Sequence, residues 1–517
     1  MNTTDPIRAE LRAAVASGRD SHATNSEMLN AGVVIIGAGP AGMAAAASAW
    51  QAGASVIVLE SGSRIGGNAV RSNGYLAFVD SDEAARDAFV ADARAAYRKA
   101  AEQCGLVWDE SAVGQFAAES ATTYRILTRR GVRFSRKVPR PEHSVDRIQA
   151  VVDPAMFGRA YAADFARPAI RTQFGARADR LIVENGRVAG VIAHRLDGGM
   201  PFSVRAARAV VLATGGYQAG HRLRARYQPH TAAQSPFVGT PDCRGDGHLM
   251  GSAVGGDLVN MTYLPPTVLA ASTVVENAIA VNSAGVRFHD ETGTFAERVE
   301  ALRRQDQRRA WYLLDEEAAR SQAHLIEQMP RPPVRATSVA ELATALHLPT
   351  DRLAATIGEW NSFLASPATT DPQFGRTSLP QGRPALGTPL LAVPMVEGVN
   401  ISCGGFRTTA GMQVIDVFGA TIPGLYAAGD TTAGLNAAAG MVGLHISGAF
   451  TQGRIAGRAA ATARPDTTDF GGLNGWPQGQ HQISRHGHKQ PHRGYGGSGR
   501  PAQAFGVSHA AQPLAGV

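Results

Sequence analysis

Cysteine is scarce in this chain: Cys104, Cys243 and Cys403 are odd in number and far apart among 517 residues. That spacing excludes a disulfide framework, and no cysteine or histidine cluster fits a structural zinc, an iron–sulfur centre or a haem attachment. No metal site is therefore expected. Long apolar runs are also missing, since no stretch approaches the ~20 residues that a membrane-crossing helix needs. Stable membrane insertion is not expected. The first thirty residues mix Asp5, Glu10, Asp20 and Glu27 with arginines and have no apolar centre, so they do not read as a secretory signal. The expected location is the cytoplasm. The net charge of +7 is dispersed, without a basic block or basic helix face, which argues against nucleic acid as a partner.

What is present is enough apolar sequence, 44% of residues, to fill two or three domain cores. One motif stands out within it. Val33-Val34-Ile35-Ile36 runs directly into Gly37-Ala38-Gly39-Pro40-Ala41-Gly42, and a second apolar run, Val56 to Leu59, closes on Glu60. Strand, glycine turn, small-residue helix (Met43 to Gln51), Gly53 as a stop, then strand and acid is the order of a dinucleotide-binding unit. Gly37 permits the tight turn, Gly39 lets the backbone approach a pyrophosphate, and Gly42 lets helix and strand pack closely. The phosphates would rest on unpaired N–H groups at the helix start. Glu60 is placed to accept hydrogen bonds from a ribose.

Further along, Leu181 to Val191 reads as a hairpin turning at Asn185-Gly186. Ala209 to Ala213 reads as a buried strand ending in the loop Thr214-Gly215-Gly216. Gly424 to Asp430 repeats the pattern of an apolar strand ending in glycine and an acid, and a small-residue helix is expected over Gly443 to Gly457. Between Leu264 and Ser402 the composition is more mixed. Ser338 and Glu341 have capping-box spacing, and Thr350-Asp351 can start a helix through Trp360. The expected organisation is a leader arm (1–30), a first nucleotide-domain segment (31–262), an inserted capping and substrate domain (263–402), a second nucleotide-domain segment (403–465) and a disordered tail (466–517). That tail holds His481, His486, His488, His492 and His509 among Gly, Gln and Pro, with no periodic apolar positions.

Several ordered segments together resemble the flavoproteins of the fumarate reductase, succinate dehydrogenase and 3-ketosteroid dehydrogenase group. They are the glycine motif, Arg64-Ile65-Gly66-Gly67-Asn68, Ala213 to Gly216, Arg244 to Gly247, Val281 to Phe288, Gly404-Gly405, Gly424 to Asp430 and Gly453 to Gly457. The resemblance implies an α/β fold, a Rossmann-like FAD-binding domain interrupted by an α+β capping domain. It implies FAD on Gly37, Ala38, Gly39, Pro40, Ala41 and Gly42, with Glu60 at the adenosine ribose and Ser61 among the cofactor-binding residues. Gly66, Gly67 and Asn68 would lie along pyrophosphate and flavin, Ala178 would meet adenine through its backbone, and Gly429 and Asp430 would take the ribityl chain. His445 and Ile446 would aim N–H groups at the flavin, and Thr214, Gly215 and Gly216 would complete the set. Asn68 stands where covalently flavinylated relatives have histidine, so non-covalent FAD is expected.

The resemblance also exposes a departure. The histidines and arginines with which fumarate reductases clamp a dicarboxylate fall on Pro265, Phe295, Ile401 and Gly440. With Met441 beside them, Phe295, Ile401 and Gly440 suggest a pocket for an apolar or uncharged substrate, because a carboxylate needs charge-assisted partners. Loop lengths over 281–300 and 434–457 look most similar to the tricarballylate dehydrogenase-like branch, and Gly440 also replaces the late-loop tyrosine of ketosteroid dehydrogenases. Candidates for proton handling are Tyr75, Arg407 and His445, with Tyr217 and Tyr263 weighed beside them. The implied activity is hydride transfer between flavin N5 and a small-molecule carbon–carbon bond adjacent to a carbonyl, electrons passing to a separate carrier or to oxygen. A ketosteroid-type desaturase, a flavin oxidase and a non-catalytic FAD-binding protein are the alternatives.

Overall fold

A computed structural model describes residues 28–228, 235–270, 272–380, 382–435 and 441–463. Residues 1–27 of the expected leader, the 466–517 tail and Gly440 lie outside the described residues. Met28 to Asn30, assigned to the leader from sequence, are the first residues of a strand.

The central sheet is built from β1 (Met28–Ile36), β2 (Val56–Glu60), β3 (Ile170–Phe174), β4 (Ala176–Glu184), β5 (Arg187–Arg195), β6 (Phe202–Leu212), β7 (Gln413–Ile415) and β8 (Thr421–Ala427). Its order is β7-β8-β6-β1-β2-β3, with the β4–β5 hairpin joined to β6 through β5. Pairs β1–β2, β1–β6, β2–β3 and β6–β8 are parallel. Parallel strands bury both faces, so their sequences are continuously apolar. Val34, Ile36, Ile57, Leu59, Val210 and Leu212 face one core, which the hairpin covers. Val33, Ile35, Val56, Val58 and Val211 face a second core. The hairpin turns at Asn185-Gly186, both at positive φ, as the Asn-Gly pair predicts.

Two helices fill the second core: α1 (Pro40–Gln51) and α5 (Leu444–Thr462). Their contact is made of Ala41, Ala45, Ala46, Ala49, Ala456 and Ala460. A Cβ on Gly453 or Gly457 would drive into the backbone carbonyl oxygens of Ala41 and Ala45. Small residues recur on both helices because the two backbones nearly touch.

Two further sheets stand apart from the central one, beside two short two-stranded pairs. α2 (Glu83–Cys104) and α3 (Glu110–Arg129) accompany a three-stranded sheet of Tyr75–Ala77, Ile148–Val151 and Phe134–Val138. This sheet falls inside the segment read from sequence as nucleotide domain. A four-stranded antiparallel sheet, Ile279–Asn282, Ala310–Asp315, Leu390–Pro394 and Val334–Ala336 in spatial order, lies inside the expected insertion. There the Ser338 hydroxyl accepts the Glu341 N–H at 3.2 Å, the expected cap. The Thr350–Ala365 helix runs past Trp360 because Phe363 and Leu364 extend its buried face. At the heart of this region Glu291, Arg287, Asp371 and Arg376 form a fully buried ionic cluster. Arg287 reaches Glu291 at 2.8 Å and Asp371 at 3.0 Å, and Arg376 reaches Glu291 at 2.9 Å.

Candidate active site

The strand-to-helix turn sets the first wall of the site. Gly37 sits at φ 102°, and a side chain there would collide with the Ala213 carbonyl. Gly42 lies behind the wall, where a Cβ would collide with the Gly37 carbonyl oxygen, so it serves packing rather than contact. α1 begins at Gly39 with no side-chain cap and with Pro40 in its first turn. Its free N–H groups therefore face an open cavity of about 520 Å³, which Gly37, Gly39, Pro40, Ala41 and Gly67 line. Glu60, at the end of β2, accepts the Ala38 N–H at 2.7 Å and the Gly62 N–H at 2.6 Å, which fixes its carboxylate on the turn. Burial raises its pKa.

The far wall comes from the other end of the chain. α5 starts at Gly443, again without a side-chain cap, so the N–H groups of His445 and Ile446 are unpaired within the helix. Both residues line the cavity, as do Gly429 and Asp430. Asp430 Oδ1 lies 2.9 Å from His445 Nδ1. Two uncapped helix N-termini thus open on one cleft, an arrangement that favours negative charge at both ends of a bound group. Phosphates suit one end, and a reduced flavin ring suits the other. The residues present fit FAD.

Ser61, Asn68, Ala178, Thr214 and Gly215 also line the cavity. Ala38, Gly66 and Gly216 are buried behind it and shape the turns. Asn68 has both amide atoms engaged: Oδ1 accepts the Thr240 N–H at 2.7 Å and Nδ2 donates to Cys243 Sγ at 3.3 Å. Cys243, not singled out from sequence, lines the cavity. Burial, together with the nearby Asp430 charge, pushes its thiol up to about 12, so it stays protonated. Asp242 and Asp246 are also in the wall, with Arg177 held 2.8 Å from Asp246. The Asp242 to Gly247 turn therefore faces the cleft as well as starting a helix.

Phe295, Ile401 and Met441 line the cavity together with Val268, Leu269, Leu325 and Met329. Phe295 opens α4 (Phe295–Arg303) under a Thr294–Glu297 capping box, and the buried Arg298 guanidinium lies 4.9 Å from the centre of its ring. Pro265 does not line the cavity. Tyr75 does, and it is almost fully buried: its hydroxyl donates to Glu276 at 2.7 Å. Burial and the Glu276 charge raise its pKa strongly.

Three candidates fall elsewhere. Arg407 is half exposed, 3.0 Å from Asp257, and does not line the cavity. It follows the buried Phe406 of a short strand, and alternation turns it outward. Tyr217 is buried and spends its hydroxyl on the Met261 carbonyl at 2.8 Å. Tyr263 packs with Cys403 and Leu106.

The sequence matches the FAD binding domain family over residues 32–445. The chain belongs to that family. It is 27% identical to the probable fumarate reductase Ifc3 of Shewanella frigidimarina (strain NCIMB 400), across 83% of this chain and 74% of that protein. The fold is similar to the open conformation of a flavocytochrome c3 fumarate reductase, with TM-score 0.67, 26% identity and coverage of 89% and 81% of the two chains. It is also similar to 3-ketosteroid-Δ4-(5α)-dehydrogenase from Rhodococcus jostii RHA1, with TM-score 0.59, 25% identity and coverage of 85% and 98%. This flavoprotein takes FAD as its cofactor and is an oxidoreductase acting on CH–CH groups. No helix among the described residues is long and apolar enough to cross a membrane.

Proposed function

We propose that this flavoprotein reduces or dehydrogenates a carbon–carbon bond next to the carbonyl of an uncharged, largely apolar small molecule. The observation that carries this reading is the substrate end of the cavity. Phe295, Ile401, Met441, Val268, Leu269 and Met329 make its wall, and the basic lining residues Arg64 and Arg71 are exposed at the surface while Arg177 is paired with Asp246. A dicarboxylate held there would lack the charge-assisted partners that offset its desolvation.

Bound FAD supplies a hydride acceptor or donor at flavin N5. The chain's own residues do the rest. The first-turn N–H groups of α1 and the turn at Gly39 would hold the pyrophosphate, Glu60 the adenosine ribose and Asp430 the ribityl hydroxyls. The N–H groups of His445 and Ile446 would stabilise negative charge on the flavin. Asn68 offers no nucleophile for a covalent link, which supports non-covalent attachment; acid precipitation should release all flavin to the supernatant. Electrons are exchanged with a separate carrier or with oxygen.

The test is anaerobic reoxidation of the photoreduced holoenzyme by fumarate, urocanate, 2-cyclohexenone and 4-androstene-3,17-dione. The enones should reoxidise it and fumarate should not. Efficient fumarate turnover would overturn the uncharged-substrate reading. Rapid reoxidation by oxygen alone would favour an oxidase, and reoxidation by nothing a non-catalytic role.

A further inference from the structure

Hydride transfer accounts for one hydrogen of such a reaction, and a proton must also enter or leave beside it. The apolar wall cannot supply one. Tyr75 packs in the same cluster as Met441, Val442 and Phe295, which places it at the substrate end. The other titratable lining residues are occupied elsewhere: Glu60 on the α1 turn, Asp430 with His445, Asp246 with Arg177, Asp242 with Thr240 and Arg177, and Cys243 with Asn68. Arg71 is exposed, and a guanidinium does not release its proton.

Behind Tyr75 lies a connected path outward. Its hydroxyl donates to Glu276 Oε1 at 2.7 Å, Arg136 Nη2 donates to Glu276 Oε2 at 2.6 Å, and the same nitrogen lies 3.4 Å from the Tyr75 oxygen. Side-chain exposure rises from 7% at Glu276 to 40% at Arg136. The path starts in the cavity and ends in water. Glu276 is fixed from behind, because Arg376 of the buried ionic cluster donates to its backbone carbonyl at 2.6 Å.

Resting on the function proposed above, we infer that Tyr75, Glu276 and Arg136 form a proton relay between the substrate and solvent, with Tyr75 the catalytic residue and the other two acting through it. In dehydrogenation the carbon α to the carbonyl gives its proton to the Tyr75 oxygen while the Tyr75 hydroxyl proton passes to Glu276 Oε1. Glu276, now a carboxylic acid, releases that proton to water beside Arg136. The electron pair of the adjacent C–H bond departs as hydride, FAD being the oxidant. Reduction is the reverse, with reduced FAD as the reductant. The concerted exchange explains why a buried phenol suits the task. Its tyrosinate is disfavoured by burial and by Glu276, so the phenol has to gain one proton as it loses the other.

The experiment uses the FAD-loaded full chain and its Tyr75→Phe, Glu276→Gln and Arg136→Met variants. Flavin content should match wild type in all three. Reoxidation of the photoreduced enzyme by 4-androstene-3,17-dione or 2-cyclohexenone should slow about 100-fold or more in Y75F and E276Q, the scale of a lost general acid or base. In R136M the loss should be smaller, with a raised solvent isotope effect. The oxidised holoenzyme should also exchange deuterium from D2O into the α-carbons of the saturated ketone 5α-androstane-3,17-dione. Y75F and E276Q should abolish this exchange, which a residue that only supports the wall would not do. Wild-type turnover with Y75F within about threefold of it overturns the relay alone, and Y75F decides the question if E276Q fails to load FAD. A wild type inert to every probe overturns both the functional reading and the relay that serves it.

Discussion

The two ends of the cavity are built by different means. At the proposed pyrophosphate end the protein presents backbone: Gly37, Gly39 and Gly67, and the free N–H groups of α1. At the proposed substrate end it presents side chains from scattered segments, among them Tyr75, Val268, Phe295, Ile401 and Met441. Backbone recognition constrains residue type at fixed short spacing, because one added Cβ blocks the approach. Side-chain recognition only needs some shape and polarity to arrive from somewhere. The first end is therefore fixed by the cofactor, and the second is free to change with the substrate.

The largest expected effect is at the backbone end. Gly37→Val adds a side chain at φ 102° that meets the Ala213 carbonyl, so strain of about 1–3 kcal/mol is added to a direct clash. The purified variant should carry almost no flavin absorbance; a normally loaded one would break the backbone half of the comparison.

Next comes the ionic cluster behind the substrate end. Burial alone would raise the pKa of Glu291, but Arg376 and Arg287 outweigh it and hold it at about 2, below the ordinary 4.5. A depressed carboxylate contributes stability that is present above the unfolded-state value and lost as pH falls through the folded one. That share, roughly 3 kcal/mol, should disappear between about pH 4.5 and 2. Glu291→Gln leaves Arg376 and Arg287 without this partner, so denaturant unfolding at pH 7 should show a loss of about 3–5 kcal/mol. Its acid limb should be flatter than that of the wild type, and an unchanged acid limb would remove Glu291 from this role.

A smaller effect is expected at the substrate wall. Phe295→Ala should weaken binding of 4-androstene-3,17-dione, read from the flavin spectrum, by about 1–3 kcal/mol while leaving FAD content intact. A loss of FAD instead would mean that the two ends are not separable. The smallest effect is at Arg407. Arg407→Ala removes an exposed ion pair and should change stability by under about 1 kcal/mol, with no effect on turnover.

The same contrast decides what could be read from sequence. The Rossmann strand, turn and helix, the Asn185-Gly186 hairpin and the Ser338 cap are local patterns with local causes, and they appear where expected. The pairing of Asp430 with His445 joins two segments expected from sequence at the same cofactor. Cys243, Arg177 and the Tyr75–Glu276–Arg136 path were not legible, because sequence separation carries no signal of their meeting. The Tyr75–Ala77 sheet was hidden inside an apparent nucleotide segment for the same reason: three short strands pair across more than sixty residues. Arg407 falls outside the cavity wall because strand alternation beside the buried Phe406 turns it away.

The close crossing of α1 and α5 has a consequence in time. The helix that opens the cofactor cleft and the helix that closes it stand about 400 residues apart, roughly 20–80 s of synthesis at 5–20 residues per second. Until α5 leaves the ribosome, the alanine face of α1 has no partner and the flavin end of the cleft has no wall. A nascent chain therefore displays the most recognisable motif of the fold long before it can retain FAD, and capture of the cofactor belongs to the last stage of its assembly.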